Sequence, residues 1–152
     1  MIAIGIDPGA SGGIAVIDGY EHVTRVYAMP QTESDTWGLV SELARWPGEL
    51  RAVIERVHAF PGQGVSSSFT FGRNYGFLRA CLIAAQVPFE EVFPRTWQTA
   101  LGCMNSKKLA KPAHKRKLRG VAQQLFPAVD VTLKTCDALL LAEFLRRREN
   151  GK

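Results

Sequence analysis

A mixed α/β domain is the fold class this sequence predicts, and three observations predict it. The first 30 residues carry three apolar runs joined by short turns. The later apolar runs that read as strands have helical patterns on both sides. The chain has 152 residues, 46% of them hydrophobic, which is the size and composition of one ordinary domain with a real core. The expected architecture is a five-stranded mixed sheet, three strands antiparallel and two parallel, flanked by helices within one domain, residues 1–152.

Residues 2–7 (IAIGID) alternate Ile2, Ile4 and Ile6 against Ala3, Gly5 and Asp7, so Asp7 shares a face with the small residues. Residues 13–18 (GIAVID) and 22–29 (HVTRVYAM) continue an antiparallel meander that Pro30 ends. Ser34 is the expected N-cap of a helix through Arg45, with Trp37, Val40, Leu43 and Ala44 as its buried stripe. Pro47 and Gly48 stop it. Residues 51–57 (RAVIERV) form a fourth strand, parallel to the first, with Val53 and Glu55 on one face and Ala52 and Ile54 on the other. A loop then leads to a helix of about residues 67–86, apolar almost all round over 77–85. That two-sided character fits either a dimer interface or a central helix covered by its own domain. Residues 89–93 (FEEVF) form the fifth strand, and Pro94 opens a helix to about Leu101. A basic loop over 102–112 precedes a basic amphipathic helix over 113–126, with Leu118, Val121, Ala122 and Leu125 inward. The last helix spans about 135–148.

The net charge is +5, and it is unevenly spread. Between Glu91 and Asp130 there is no acidic residue, while Arg95, Lys107, Lys108, Lys111, Lys115, Arg116, Lys117 and Arg119 all fall there. Solvated faces usually mix signs; an unmixed one points to a polyanion partner. No apolar run approaches the roughly 18 residues of a membrane span, and with a strand at the very start of the sequence no signal peptide is expected. Cys81, Cys103 and Cys136 lack metal-ligand spacing and fit a reduced, cytoplasmic setting.

Three acids stand where acids are normally avoided. Asp7 ends an apolar strand, Glu55 sits inside VIERV, and Asp137 starts the apolar helix CDALLLAEF. With strands one and four as neighbours, Asp7 and Glu55 approach at one end of the sheet, and Asp137 comes down from the helix above. Such oxygen ligands suit Mg2+ or Mn2+, and two ions about 3.5–4 Å apart can clamp a phosphodiester. Asp7, in the middle strand, is the expected bridge between the ions. Taken singly, Glu55 can instead pair with Arg56 or Arg73, and Asp137 can simply occupy a favourable first helical turn. Glu143 lies roughly 120° around the helix from Asp137 and is not expected to join them.

Four stretches in order resemble the RuvC-like Holliday-junction resolvases of the ribonuclease H-like superfamily. GIDPGASGGIAVID resembles their first strand, catalytic aspartate, glycine turn and second strand. VIERVHAFPGQGVSSSFTFGRNYG resembles the glutamate strand and the loop into the long helix, particularly of phage-type members. VFPRTWQ resembles the next strand and helix start, and CDALLLAEF the closing helix with its aspartate. The resemblance implies a ribonuclease H-like fold and a crossover junction endodeoxyribonuclease of a bacterial or phage-infected cell. It further implies a homodimer, joined through the helix of about residues 67–86, that cuts two strands of a four-way DNA junction symmetrically. Two Mg2+ or Mn2+ ions per active site would serve the cut, leaving 5′-phosphate and 3′-hydroxyl ends. Asp7, Glu55 and Asp137 match the family's ligand positions.

One position departs from the pattern. Where the family usually has a fourth ligand, aspartate or histidine, this chain has Lys134, and a protonated ammonium cannot bind a metal. Lys134 is then expected to contact the scissile phosphate. Asp130 is an alternative fourth ligand through a different loop path, and weak or absent cleavage is the other outcome. Ser66, Ser67 and Ser68 offer hydroxyls and amides at a helix N-terminus, with Gly62 and Gly64 allowing close approach. Phe69 is the candidate wedge that stacks on an opened base, whereas Phe71 shares a stripe with Tyr75, Leu78 and Leu82. Arg73, Lys107, Lys108, Lys111, Lys115, Arg116 and Lys117 are the candidate DNA contacts, with Lys115 or Lys117 reaching toward the metals. His58 and His114 read as ordinary polar residues near DNA. An actin-like ATPase also begins with strand, aspartate and glycine turn. It would need a second half-domain and phosphate loop, so no nucleotide cofactor is expected.

Overall fold

Five strands form one mixed sheet in the order β3-β2-β1-β4-β5. The structure is a computed structural model and describes residues 1–56, 64–105 and 108–151. β1 (Ile2–Asp7), β2 (Gly13–Asp18) and β3 (Val23–Ala28) are the antiparallel meander. β4 (Leu50–Glu55) and β5 (Phe89–Val92) add parallel on the other side of β1. The mixed sheet of three antiparallel and two parallel strands is therefore as expected. β1 is its centre, and its alternation sorts the core. Ile2, Ile4 and Ile6 join Ala52 and Ile54 in one apolar cluster, while Ala3 joins Val53 in the other.

The first cluster is covered by α1 (Glu33–Leu43) and α2 (Val65–Ala84), through Val40, Leu43, Leu78, Cys81 and Leu82. The second is covered by α3 (Pro94–Ala100), α4 (Lys111–Leu125) and α5 (Cys136–Asn150), through Trp97, Leu118, Ala122 and the run from Ala138 to Ala142. α5 lies directly on β1 because of Gly5. A Cβ there would stand 2.1 Å from the Ala138 carbonyl oxygen and 2.4 Å from the Ala142 nitrogen.

Several local expectations are corrected. Thr32, not Ser34, caps α1; its side chain accepts from the Asp35 N–H at 3.0 Å. The buried stripe is Thr36, Val40 and Leu43, so Trp37, one position off that stripe, is 41% exposed. Thr36 tolerates burial because its hydroxyl donates to the Thr32 carbonyl. α2 starts at Val65, which places Ser66, Ser67 and Ser68 inside its first turn. α4 starts at Lys111, two residues before the expected start, with Pro112 in its first turn. Leu125 is 38% exposed, because Phe126, just past the helix end, packs on the core in its place. Val57, His58 and Gly62 lie outside the described residues, as does Lys107.

Candidate active site

Asp7 and Glu55 end neighbouring parallel strands. Ile6 pairs with Ile54, so the two carboxylates emerge side by side at the carboxyl end of the sheet, where open α/β sheets place ligands. Both lie on the face that carries Ala3 and Val53, beneath α5. Asp137 is in the first turn of α5, and the close approach over Gly5 sets it above Asp7. All three line one cavity of about 710 Å³. The glycine turn keeps one wall low. A Cβ on Gly12 would stand 2.3 Å from the Asp7 carbonyl oxygen and 2.7 Å from its Cγ, so only glycine fits. The Gly9 N–H donates to Asp7 Oδ1 at 3.4 Å. No nucleotide phosphate is needed to explain this turn.

The acids share two further partners. Lys115, from α4, contacts Asp137 Oδ2 and lies 3.5 Å from Asp7 Oδ2. The buried indole of Trp97 donates from Nε1 to Glu55 Oε1 at 2.9 Å. Burial pushes the Glu55 carboxyl up, the negative charge of Asp7 adds to it, and the Trp97 bond opposes; the result is about 7 against an ordinary 4.5. Asp7 is also raised, by burial first, against the ammonium of Lys115 and with the repulsion of Asp137. Burial alone would lower Lys115, but Asp137 and Asp7 outweigh it and hold the ammonium charged. Cys136 donates from its thiol to Asp137 Oδ1 at 3.3 Å, and burial beside that carboxylate pushes the thiol up to about 12. It therefore stays a protonated donor.

The remaining candidates divide. Lys134 is exposed and lines the acid cavity, as do Lys111 and Lys115. Lys108, Arg116 and Lys117 do not line it. Lys117 is bound instead to the Met104 carbonyl at 3.0 Å, which corrects its expected reach toward the acids. Arg73 pairs with Glu33 at 3.1 Å, and the Arg56 guanidinium lies over the Phe93 ring, so neither is the partner of Glu55. Asp130 lines a different cavity, beside Thr24 and Arg25, and its alternative ligand role is not supported by its place. Glu143 is buried and held by Arg146 and Arg147. Ser66, Ser67 and Ser68 are exposed or half-exposed, and Phe69 is 72% exposed. Phe71, expected in the core stripe, lines the acid cavity instead. His114 also lines it, with Nε2 3.2 Å from Gln98 Oε1.

The sequence reading missed Trp97 and Cys136 as partners of the acids. Trp97 left one signal: a buried indole N–H requires an acceptor, and the residue follows closely on the strand beside Glu55. Cys136 left only its adjacency to Asp137.

The chain is similar over nearly its whole length to Thermus thermophilus RuvC, with a TM-score of 0.65 and 20% identity across 98% of this chain and 97% of that one. A structure of T. thermophilus RuvC in complex with a Holliday junction substrate gives a TM-score of 0.66 and 18% identity, across 97% and 96%. The fold is RuvC-like. Its five-stranded mixed sheet with flanking helices is that of the ribonuclease H-like class. No family model and no curated protein sequence matches the chain. Among the described residues, no helix of this RuvC-like fold is long and apolar enough to cross a membrane.

Proposed function

We propose that this chain is a divalent-metal-dependent endodeoxyribonuclease that resolves four-way DNA junctions, as a homodimer of single nuclease domains. One observation carries the reading: Asp7, Glu55 and Asp137 converge in one cavity at the carboxyl end of β1 and β4. The RuvC-like fold supports it, since the Thermus neighbour was solved on a Holliday junction.

The donor set fits hard divalent cations. It consists of carboxylate oxygens, two of them raised partly by their acidic neighbours, so a cation relieves their repulsion. The ammonium of Lys115 stands in for that charge. Among the described residues, no three His, Cys, Asp or Glu side chains are clustered tightly enough to hold an ion as placed. As placed, Lys115 occupies the space between Asp7 and Asp137 with its own charge. Asp7, Glu55 and Asp137 would hold the ions. When bound, such ions supply positive charge to the phosphoryl group and activate water for attack. Lys115, which lines the same cavity, would steady charge developing on the phosphate. Lys111 and Lys134, at the cavity wall, hold the cut strand; Lys108 and Arg116 extend the basic surface. The first-turn amides of Ser66 and Ser67 offer a phosphate site, and Phe69 a stacking wedge.

Homodimer formation through α2 rests on its outer face. Gly72, Gly76, Ala80 and Ile83 are exposed along one stripe, and Ile83 is 65% exposed. A Cβ on Gly72 or Gly76 would meet nothing within 4 Å among the described residues, so their packing does not call for glycine there. Each helical glycine costs about 1 kcal/mol relative to alanine. Close approach of a second α2 accounts for that cost.

A second reading, junction binding without cleavage, draws on the contact of Lys115 with two of the three acids. A nicking assay on a mobile four-way junction, in Mg2+ and in Mn2+, decides between them. Wild type should cut and Asp7→Asn should not. Binding with no cutting in either metal favours the second reading, and absence of junction binding sinks both.

A further inference from the structure

Building on the reading of Asp7, Glu55 and Asp137 as cation ligands, we propose that Trp97 is a positioning residue that fixes the Glu55 carboxylate for the cation. β5 pairs with β4 so that Val92 stands beside Glu55, and the chain turns at Phe93 directly into α3. Trp97, in the first turns of α3, is carried back beneath the strand end with no exposed surface. Its Nε1 lies 2.9 Å from Glu55 Oε1. Among the described residues this is the hydrogen bond that holds the Glu55 carboxylate. It ties one oxygen of Glu55 to the core, and Glu55 also contributes to the cavity lining.

Two features make this more than the satisfaction of a buried indole. An indole is a neutral donor, so it orients the carboxylate without cancelling the charge a cation needs; an arginine would cancel it. A backbone carbonyl or a glutamine would satisfy the N–H equally well, without placing an acid where its ionisation is disfavoured. The Trp97 ring is also packed among apolar residues of the core, so its direction is fixed more firmly than that of a surface side chain. Hydrogen bonds of this kind to a ligating side chain commonly govern metal affinity by 10–100-fold.

The test is Mn2+ titration of the metal-free, full-length protein by calorimetry, without DNA. The proteins are wild type, Asp7→Asn, Trp97→Phe, and a variant carrying the isosteric benzothienylalanine at 97. The last keeps the ring shape and loses the N–H, and it serves if phenylalanine does not fold. Both Trp97 variants should bind Mn2+ at least about tenfold more weakly than wild type. In a Glu55→Gln background the same change at 97 should alter affinity by less than about twofold, because the carboxylate that Trp97 orients for the cation is gone. Unchanged affinity in a folded Trp97 variant overturns the proposal alone. So does an equal loss in the Glu55→Gln background. Failure of wild type to bind Mn2+, or full binding by Asp7→Asn, overturns the underlying metal reading and this proposal with it.

Discussion

Replacing Glu55 by glutamine should stabilise the metal-free protein, and only above acidic pH. Glu55 ends β4 beside Asp7, and its carboxyl is raised from 4.5 to about 7, chiefly by burial and then by the charge of Asp7. Below pH 4.5 the group is protonated in both the folded and the unfolded chain, so it does not affect stability. As the pH rises toward 7 the unfolded chain loses its proton first, and stability falls. Above about 7 both states are ionised and the deficit is complete. At about 1.4 kcal/mol for each tenfold in proton affinity, the deficit is about 3 kcal/mol. Glutamine has the same shape, carries no charge, and its amide oxygen can still accept from Trp97. Urea unfolding in EDTA should therefore show Glu55→Gln more stable by about 1–3 kcal/mol at pH 8 and indistinguishable at pH 4.5. In a thermal scan this is a rise of roughly 3–10 °C. Saturating Mn2+ should narrow or reverse the order, since an ion that binds only the folded wild type stabilises it by mass action. A Glu55→Gln protein no more stable than wild type at pH 8, or equally stabilised at pH 4.5, refutes the electrostatic account of the cavity.

Lys115→Met should weaken the metal-free fold by about 1–3 kcal/mol, less than for a wholly buried pair because the Lys115 side chain is 29% exposed. The same variant should bind Mn2+ more tightly by calorimetry, since the competing ammonium is gone; weaker binding would show that Lys115 does not compete for the site. Gly5→Ala should cost about 1–3 kcal/mol or more by urea unfolding, because its Cβ meets the backbone of α5, and should weaken Mn2+ binding by lifting Asp137 from Asp7. Gly76→Leu should convert a dimer to a monomer in sedimentation velocity with no loss of thermal stability, because a Cβ at Gly76 meets nothing within 4 Å among the described residues. A wild-type monomer, or a dimer that survives the change, would remove α2 as the interface.

The legible parts of this protein were those written in local periodicity. Period two in IAIGID and RAVIERV assigned Asp7 and Glu55 to one face, and the short turns assigned the meander, so the sheet order followed from few assumptions. Asp137 was legible because a carboxylate at the head of an apolar helix is costly without a partner. Helix boundaries were less so. Thr32 and Ser34 are both good caps, and only the packing of Thr36, Val40 and Leu43 on the sheet chose between them.

The contacts between elements distant in sequence were not written there. Lys115 was one basic residue among several, and its helical phase against α5 selected it over Lys117, which bonds Met104 instead. Phe71 left the core stripe for the cavity, and Trp97 found Glu55 across 42 positions of chain. Sequence alone determined which carboxylates had to be brought together, because burying unpaired charge is costly wherever it occurs. Tertiary structure alone decided what meets them, because a partner is chosen by distance and direction in the packed interior, and neither is encoded in any local period.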